Sequence, residues 1–224
     1  MNPRMKAGMT VNNTVKGKLL VVSGPSGVGK GTVIKELFSM SDDFCYSISA
    51  TTRYKRDYET DGVEYFFKTK EQFEEMIASG KMLEYAVYND EYYGTPADYV
   101  NNMLEKGKNV ILEIEVQGAL KVKEIRPEAV MVFIAPESKE ILRERLTGRG
   151  TESKEIIENR IAIAEKELRF CTEYDYITIN RQNGTSPDDV KKSATECALD
   201  IMAIVRAEKL RTEDAKSFSA QFLN

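Results

Sequence analysis

Histidine is absent from all 224 residues. That absence removes Ser-His-Asp and Cys-His catalysis, and His-based zinc sites with them. Any reaction run by this chain must use lysine, arginine, carboxylates, hydroxyls and backbone amides. Cysteine is scarce: Cys45, Cys171 and Cys197 are the whole complement. They lie far apart, without metal-ligand spacing or a framework for paired disulfides, and read as reduced thiols in a cytosol. No apolar run approaches the ~20 residues needed to span a bilayer. The segment Met1–Lys16 is polar and lacks the apolar core of an export signal. The expected location is the cytoplasm, with no membrane partner. A basic surplus is missing too: the formal net charge is −4, which argues against nonspecific nucleic-acid binding.

What is present is richer. Hydrophobic residues make up 42% of the chain, enough for a buried core, and the length suits one α/β domain with an inserted subdomain. The apolar run Leu19-Leu20-Val21-Val22 leads into Gly24-Pro25-Ser26-Gly27-Val28-Gly29-Lys30-Gly31-Thr32 and then into a helical pattern. Strand, glycine-rich loop and helix in that order are the context of a P-loop. The glycines let backbone N–H groups turn inward on a phosphate, the helix N-terminus adds partial positive charge, and Lys30 reaches the outer phosphates. An ordinary glycine-rich turn has no reason to carry a lysine directly after its third glycine, Gly29, with both flanks in place. The strict pattern has Ser or Thr after the lysine, to hold Mg²⁺. Here Gly31 stands there and Thr32 follows, so direct metal ligation by the loop is in question.

Strands alternate with helices at both ends of the chain, which predicts a parallel sheet flanked by helices. Helical faces recur at Val33, Ile34, Leu37 and Phe38, at Phe73, Met76 and Ile77 behind a Thr69–Gln72 capping box, and at Val100, Met103 and Leu104. Thr95 is expected to cap the third of these, with Pro96 at its first position. Ser138 and Ser153 open two further helices, the second burying Ile156, Ile157, Ile161, Ala164 and Leu168. Ser186-Pro187 opens the last, with Val190, Ala194, Cys197, Ile201, Ile204 and Val205 inward. Strands are expected at 44–49, 63–67, 82–88, 109–116, 129–135 and 174–180. Short strands and many tyrosines between about 47 and 96 mark an α+β insertion in a core of about 17–46 and 97–210. The tails, 1–16 and 211–224, read as loosely ordered.

A P-loop alone implies only a nucleotide phosphate. The stretch Ser49-Ala50-Thr51-Thr52-Arg53-Tyr54-Lys55-Arg56 concentrates hydroxyls and cations in one loop of the insertion. Arginine suits planar, bidentate phosphate recognition. By itself such a cluster is ordinary solvated surface; beside Tyr65 and Tyr93 it becomes a candidate second phosphate site. The segment Arg143–Gly150 adds arginines, with Gly148 and Gly150 to permit movement, against the alternative of a charged, solvated helix end. Phosphoryl transfer needs positioning and charge stabilisation more than proton shuttling, and well-placed arginines are worth ~10³–10⁵ in rate.

Taken together, GPSGVGKGT, SATTRYKR, the segments around Glu84 and Thr95, ILEIEVQG and RLTGRGTE resemble the guanylate kinases, a family of P-loop nucleoside monophosphate kinases, from about Gly17 to about Leu210. The resemblance implies Mg²⁺-dependent transfer of the ATP γ-phosphoryl group to GMP, and to dGMP, by direct in-line displacement. It implies an inserted GMP-binding subdomain and a helical lid at about 138–170. Residues of the loop Gly24–Thr32, with Asn180, match ATP-binding positions, although Arg181 follows where the family commonly has Asp. Ser49, Arg53, Arg56, Tyr65 and Tyr93 match positions that hold the GMP phosphate or line its pocket. Glu84, Thr95 and Glu115 match those that read guanine. Lys30, Arg145, Arg149 and Arg160 match the catalytic cations, with Arg143 the least secure of the lid arginines. Glu113 and Thr32 are candidates for holding Mg²⁺ through water, and Gln117-Gly118 matches a turn after the strand. The chemistry of Glu84 agrees: guanine presents N1–H and a 2-amino group, two adjacent donors that one carboxylate accepts, whereas adenine leaves that carboxylate unpaired.

Two alternatives stand beside this reading. Guanylate kinase-like domains also occur as peptide-binding modules without catalysis, against which the intact Lys30 loop and arginine segment argue. A kinase for another nucleoside monophosphate is the other, against which Glu84, Thr95 and Glu115 argue.

Overall fold

The computed structural model describes residues 16–147, 153–181 and 186–211. Five strands form a wholly parallel sheet: β1 (Leu19–Ser23), β2 (Phe44–Tyr46), β7 (Asn109–Glu113), β8 (Val130–Pro136) and β9 (Tyr176–Asn180), in the spatial order β2-β7-β1-β8-β9. A parallel sheet is covered on both faces, so its central strands are apolar without alternation. Strand β1 shows why: Leu20 and Val22 face helices α1 (Lys30–Met40) and α7 (Pro187–Glu208), while Leu19 and Val21 face α3 (Ala97–Glu105) and α4 (Val116–Ile125). Leu20, Val21 and Val22 have no exposed surface. Truncating Leu20 to alanine costs roughly 2–5 kcal/mol.

A second sheet, in the order β4-β3-β6-β5, comes from β3 (Ala50–Thr51), β4 (Phe66–Phe67), β5 (Met82–Tyr88) and β6 (Glu91–Pro96). Helix α2 (Lys70–Ala78) closes it through buried Phe73. Thr69 and Gln72 make the expected capping box, each side chain accepting from the other's backbone N–H. The β5–β6 hairpin turns at Asn89 and Asp90, both at positive φ. Helices α5 (Lys139–Thr147) and α6 (Lys154–Leu168) pack through Leu142, Leu146, Ile157, Ile161 and Ala164. Ser153 and Ser186 cap α6 and α7 as expected.

Several expectations change. The strand foreseen at 44–49 ends at Tyr46, and that at 63–67 keeps only Phe66–Phe67; turns around Gly62 take the rest. The strand foreseen through Val116 stops at Glu113. Gln117-Gly118 is no turn but lies in α4, whose Val116, Ala119 and Val122 form a buried helical stripe. Thr95 does not cap α3: β6 runs through Pro96, which takes the cap position without a side-chain bond. Ile156 and Val190, expected inward, are about half exposed, at 48% and 50%, because each sits in the first turn of its helix, outside the packed stripe. Of the expected tails, only Lys16 and Arg211 fall among the described residues.

Candidate active site

Strands β1, β7 and β9 end at the same edge of the parallel sheet, where α/β folds place their ligands. Val22 pairs with Glu113, and Pro136 with Asn180. The chain leaves β1 through Gly24, where a Cβ would stand 2.2 Å from the Ile134 carbonyl oxygen. Only glycine passes there. It enters α1 from Gly29 at φ 94°, where a Cβ would meet Asn180 Nδ2 at 2.7 Å. Between them, Val28 N–H donates to the Pro25 carbonyl at 3.2 Å, and Val33 N–H closes the first turn on Gly29. Lys30 folds back over this loop. Its Nζ donates to the carbonyls of Gly24 at 2.6 Å and Pro25 at 3.3 Å. Burial lowers the Lys30 pKa, while Glu113 and Glu167 act in the opposite direction.

Three other predicted residues converge on the loop from β9 and the α5–α6 pair. Asn180 donates through Nδ2 to the Val28 carbonyl at 2.7 Å. Arg145 donates to the same carbonyl at 3.1 Å, and through its other nitrogen to the carbonyls of Asn180 at 2.9 Å and Arg181 at 3.3 Å. Arg160 donates to the Ser26 hydroxyl at 2.7 Å. Arg143 points elsewhere and pairs with Glu158, joining α5 to α6. Arg149, with Gly148 and Gly150, lies outside the described residues. Gly31 and Thr32 are exposed on the first turn of α1.

The acceptor-side candidates gather on the second sheet. Arg53 makes a bidentate pair with Glu59, at 2.7 and 3.0 Å. Its guanidinium lies 5.4 Å from the Tyr65 ring centre, and Tyr65 meets Tyr93 edge-on at 6.2 Å. Glu59, 4% exposed at its side chain, also accepts from Arg56 N–H at 2.8 Å. The Arg53 side chain, opposed by partial desolvation and helped by the Arg56 amide, holds the Glu59 carboxyl down at about 2. The Arg56 guanidinium is exposed and donates to Tyr58. Ser49 stands between β2 and β3, its carbonyl accepting from Phe66 N–H.

Glu84 and Thr95 are cross-strand partners on β5 and β6. The buried Thr95 hydroxyl donates to Glu84 Oε1 at 2.7 Å. Burial raises the Glu84 pKa; the Thr95 bond opposes this, and Glu115 at the start of α4 adds to it. Glu84, Thr95 and Glu115 are therefore brought to one end of the second sheet. Glu59 and Glu167 are not foreseen. Glu59 hides inside a charged run, although a carboxylate three residues beyond Arg56 is within turn reach. Glu167 stands seven residues after Arg160, on the same stripe of α6, a spacing that could have been read.

A family model described as "Guanylate kinase" matches residues 16–196. A guanylate kinase of Bacillus cereus is 56% identical over 168 residues, 75% of this chain and 82% of its own length. One of Oceanobacillus iheyensis is 49% identical over 198 residues, 88% and 91% of the two chains. Among solved structures, guanylate kinase from Anaplasma phagocytophilum superposes with a TM-score of 0.60 at 32% identity, covering 89% of each chain.

Proposed function

The chain belongs to the guanylate kinase family, and from that premise we infer that it transfers the γ-phosphoryl group of ATP to GMP, giving ADP and GDP. The single observation that carries the acceptor's identity is the Thr95–Glu84 pair. Thr95 occupies one lone pair of Glu84 Oε1 and so fixes the plane of the carboxylate. Its remaining lone pairs suit the adjacent N1–H and 2-amino donors of guanine. Adenine would leave the remaining lone pairs of a half-buried carboxylate without the paired donors of guanine, a costly mismatch. The base and phosphate of dGMP present the same groups, so it serves as a second acceptor.

In this reading Gly24–Thr32 cradles the ATP phosphates and Asn180 borders the adenine. Arg53 and Arg56, with Ser49, Tyr65 and Tyr93, receive the GMP phosphate. Glu59 holds Arg53 ready, so less side-chain entropy is lost on binding. Lys30, Arg145 and Arg160, with Arg149, stabilise charge on the moving group's equatorial oxygens. No covalent intermediate and no general base beyond the acceptor phosphate's own oxygens are needed. The α5–α6 region acts as a lid that excludes water and suppresses ATP hydrolysis.

Mg²⁺ suits the donor set. It keeps several waters and binds through one or two carboxylates plus phosphates. Among the described residues no group of three or more potential ligands forms a dedicated cage. Glu113, at the end of β7 beside the loop, would hold it through water, with Thr32 on the first turn of α1 as the second candidate. When bound, the ion neutralises charge on the β- and γ-phosphates.

The test is ADP production from ATP and Mg²⁺ with GMP, dGMP, AMP, UMP and CMP offered separately. GMP and dGMP are expected to turn over and the others not. No turnover with GMP would return the binding-module reading; faster turnover with AMP or UMP would refute guanine recognition. Lys30→Met serves as the control and should lose at least ~10²-fold in kcat with its fold intact.

A further inference from the structure

Helix α6 reaches the phosphate loop from two positions. Arg160 donates to the Ser26 hydroxyl at 2.7 Å. Glu167, two turns further along the same stripe, is near enough to the loop for its charge to act on the Lys30 ammonium and for the Ser26 amide to act on its carboxyl. One helix thus holds Ser26 through Arg160 and brings a carboxylate to the electrostatic field of Lys30. Glu167 is otherwise badly placed for a carboxylate. Its Oε2 is buried without a hydrogen-bond partner. Burial raises its pKa; Lys30 and the Ser26 amide oppose the shift, and Glu115 adds to it.

Packing does not ask for this residue. The face of α6 that meets α5 consists of Ile157, Ile161 and Ala164, and Glu167 is not part of it. A buried carboxylate oxygen lacking a donor is costly, so its place is explained by what it faces. Lys30 has three donors, and two of them go to the Gly24 and Pro25 carbonyls. The rest of its charge is answered by Glu113 and Glu167, one from β7 and the other from α6.

We propose that Glu167 is a positioning residue for the donor-phosphate cradle, coupling helix α6 to Ser26 and aiming Lys30 during phosphoryl transfer. The inference rests on the kinase reading above. It makes a distinctive demand. A negative charge beside a phosphate site weakens nucleotide binding by itself, so its benefit must appear in turnover. Removing the charge should lower kcat without weakening ATP binding.

Steady-state kinetics of Glu167→Gln test this, with ATP and GMP varied in turn and thermal unfolding measured alongside. The amide keeps an acceptor for Ser26 but loses the charge facing Lys30. A fall in kcat of about tenfold or more is expected, a misplacement of order 1 Å being worth up to ~10²-fold. The KM for ATP should stay level or fall, and that for GMP should stay unchanged. Glu167→Asp, which keeps the charge, should recover part of kcat. A wild-type kcat in Glu167→Gln, a parallel rise in both KM values with lowered thermal stability, or no recovery in Glu167→Asp would each overturn the proposal. Absence of turnover in the wild-type protein would sink the kinase reading and this inference together; turnover in the wild type with an unaltered Glu167→Gln sinks this inference alone.

Discussion

The Thr95 hydroxyl donates to Glu84 Oε1 at 2.7 Å, directly across the β5–β6 pair. Both residues come from strands whose register is fixed by the hairpin at Asn89 and Asp90, so a carboxylate half-buried in the second sheet has one orientation. Thr95→Val keeps the shape and removes the donor. It should cost about 1–2 kcal/mol in acceptor binding, a five- to thirtyfold rise in the KM for GMP. The KM for ATP should not move. Equal changes in both would mean that Thr95 supports the fold and not the base site.

Glu84→Gln separates function from stability. The Glu84 pKa is raised in the folded protein, mainly by burial. A carboxyl with a raised folded pKa contributes stability below its ordinary pKa and loses it as pH rises through the folded value. At pH 7 the charged form therefore costs stability. Glu84→Gln should melt above the wild type at pH 7, and the gap should close as pH falls toward about 4, the ordinary range of a glutamate. The same variant should bind GMP poorly, because an amide presents only one acceptor to two donors. A lower melting temperature at pH 7 would contradict the burial argument.

The central sheet is legible in the sequence because its chemistry is local. Leu19–Val22, the glycine loop and the caps Thr69, Ser153 and Ser186 each announce one element. Helix α4 is hidden because Glu113, Glu115 and Val116 continue a strand-like alternation, and Gly118 reads as a break. Only the packed stripe Val116, Ala119, Val122 reveals a helix. Motifs carry their residues on the surface of the sequence; for Glu59 and Glu167 the sequence shows the spacing to Arg56 and Arg160 but not what either carboxylate serves. Glu59 is explained by its pairing with Arg53, and Glu167 by the electrostatics of the phosphate loop, neither of which the chain's linear order displays. Thr95 looks like a helix cap in the sequence because Pro96 follows it, and that role dissolves once its partner across the sheet is seen.

Glu59→Gln tests how much of GMP binding depends on a prepared Arg53. The Glu59 carboxyl, held at about 2 mainly by Arg53, is ionised throughout the working range. A depressed folded value means that its contribution to stability is present above its ordinary pKa of 4.5 and is lost as pH falls through about 2. The gap in melting temperature between wild type and Glu59→Gln should therefore hold from about pH 8 to about pH 5 and shrink below about pH 4. At neutral pH the variant should show a raised KM for GMP with kcat close to the wild type. A fall in kcat alone would place Arg53 in the transfer step and not in acceptor binding.

Gly31 and Gly29 are two positions apart and should respond in opposite ways. A Cβ at Gly31 meets nothing within 4 Å, and the residue lies in the first turn of α1. Gly31→Ser should be tolerated and should stabilise by about 0.5 kcal/mol, the difference between the two residues' helix propensities. Its hydroxyl would also supply the oxygen that the strict loop pattern places after the lysine, so half-saturation by Mg²⁺ should shift to a lower concentration. Gly29 stands at φ 94°, and a methyl there would lie 2.7 Å from the amide nitrogen of Asn180. Gly29→Ala should cost about 1–2 kcal/mol for the left-handed backbone alone. It should also displace Asn180 from the Val28 carbonyl it now holds, raising the KM for ATP. Thermal melts and Mg²⁺ titrations of the two variants decide the matter. If Gly31→Ser leaves the Mg²⁺ dependence untouched, the glycine after Lys30 is only a space in the helix, and the ion is held by the nucleotide and Glu113 without help from that position.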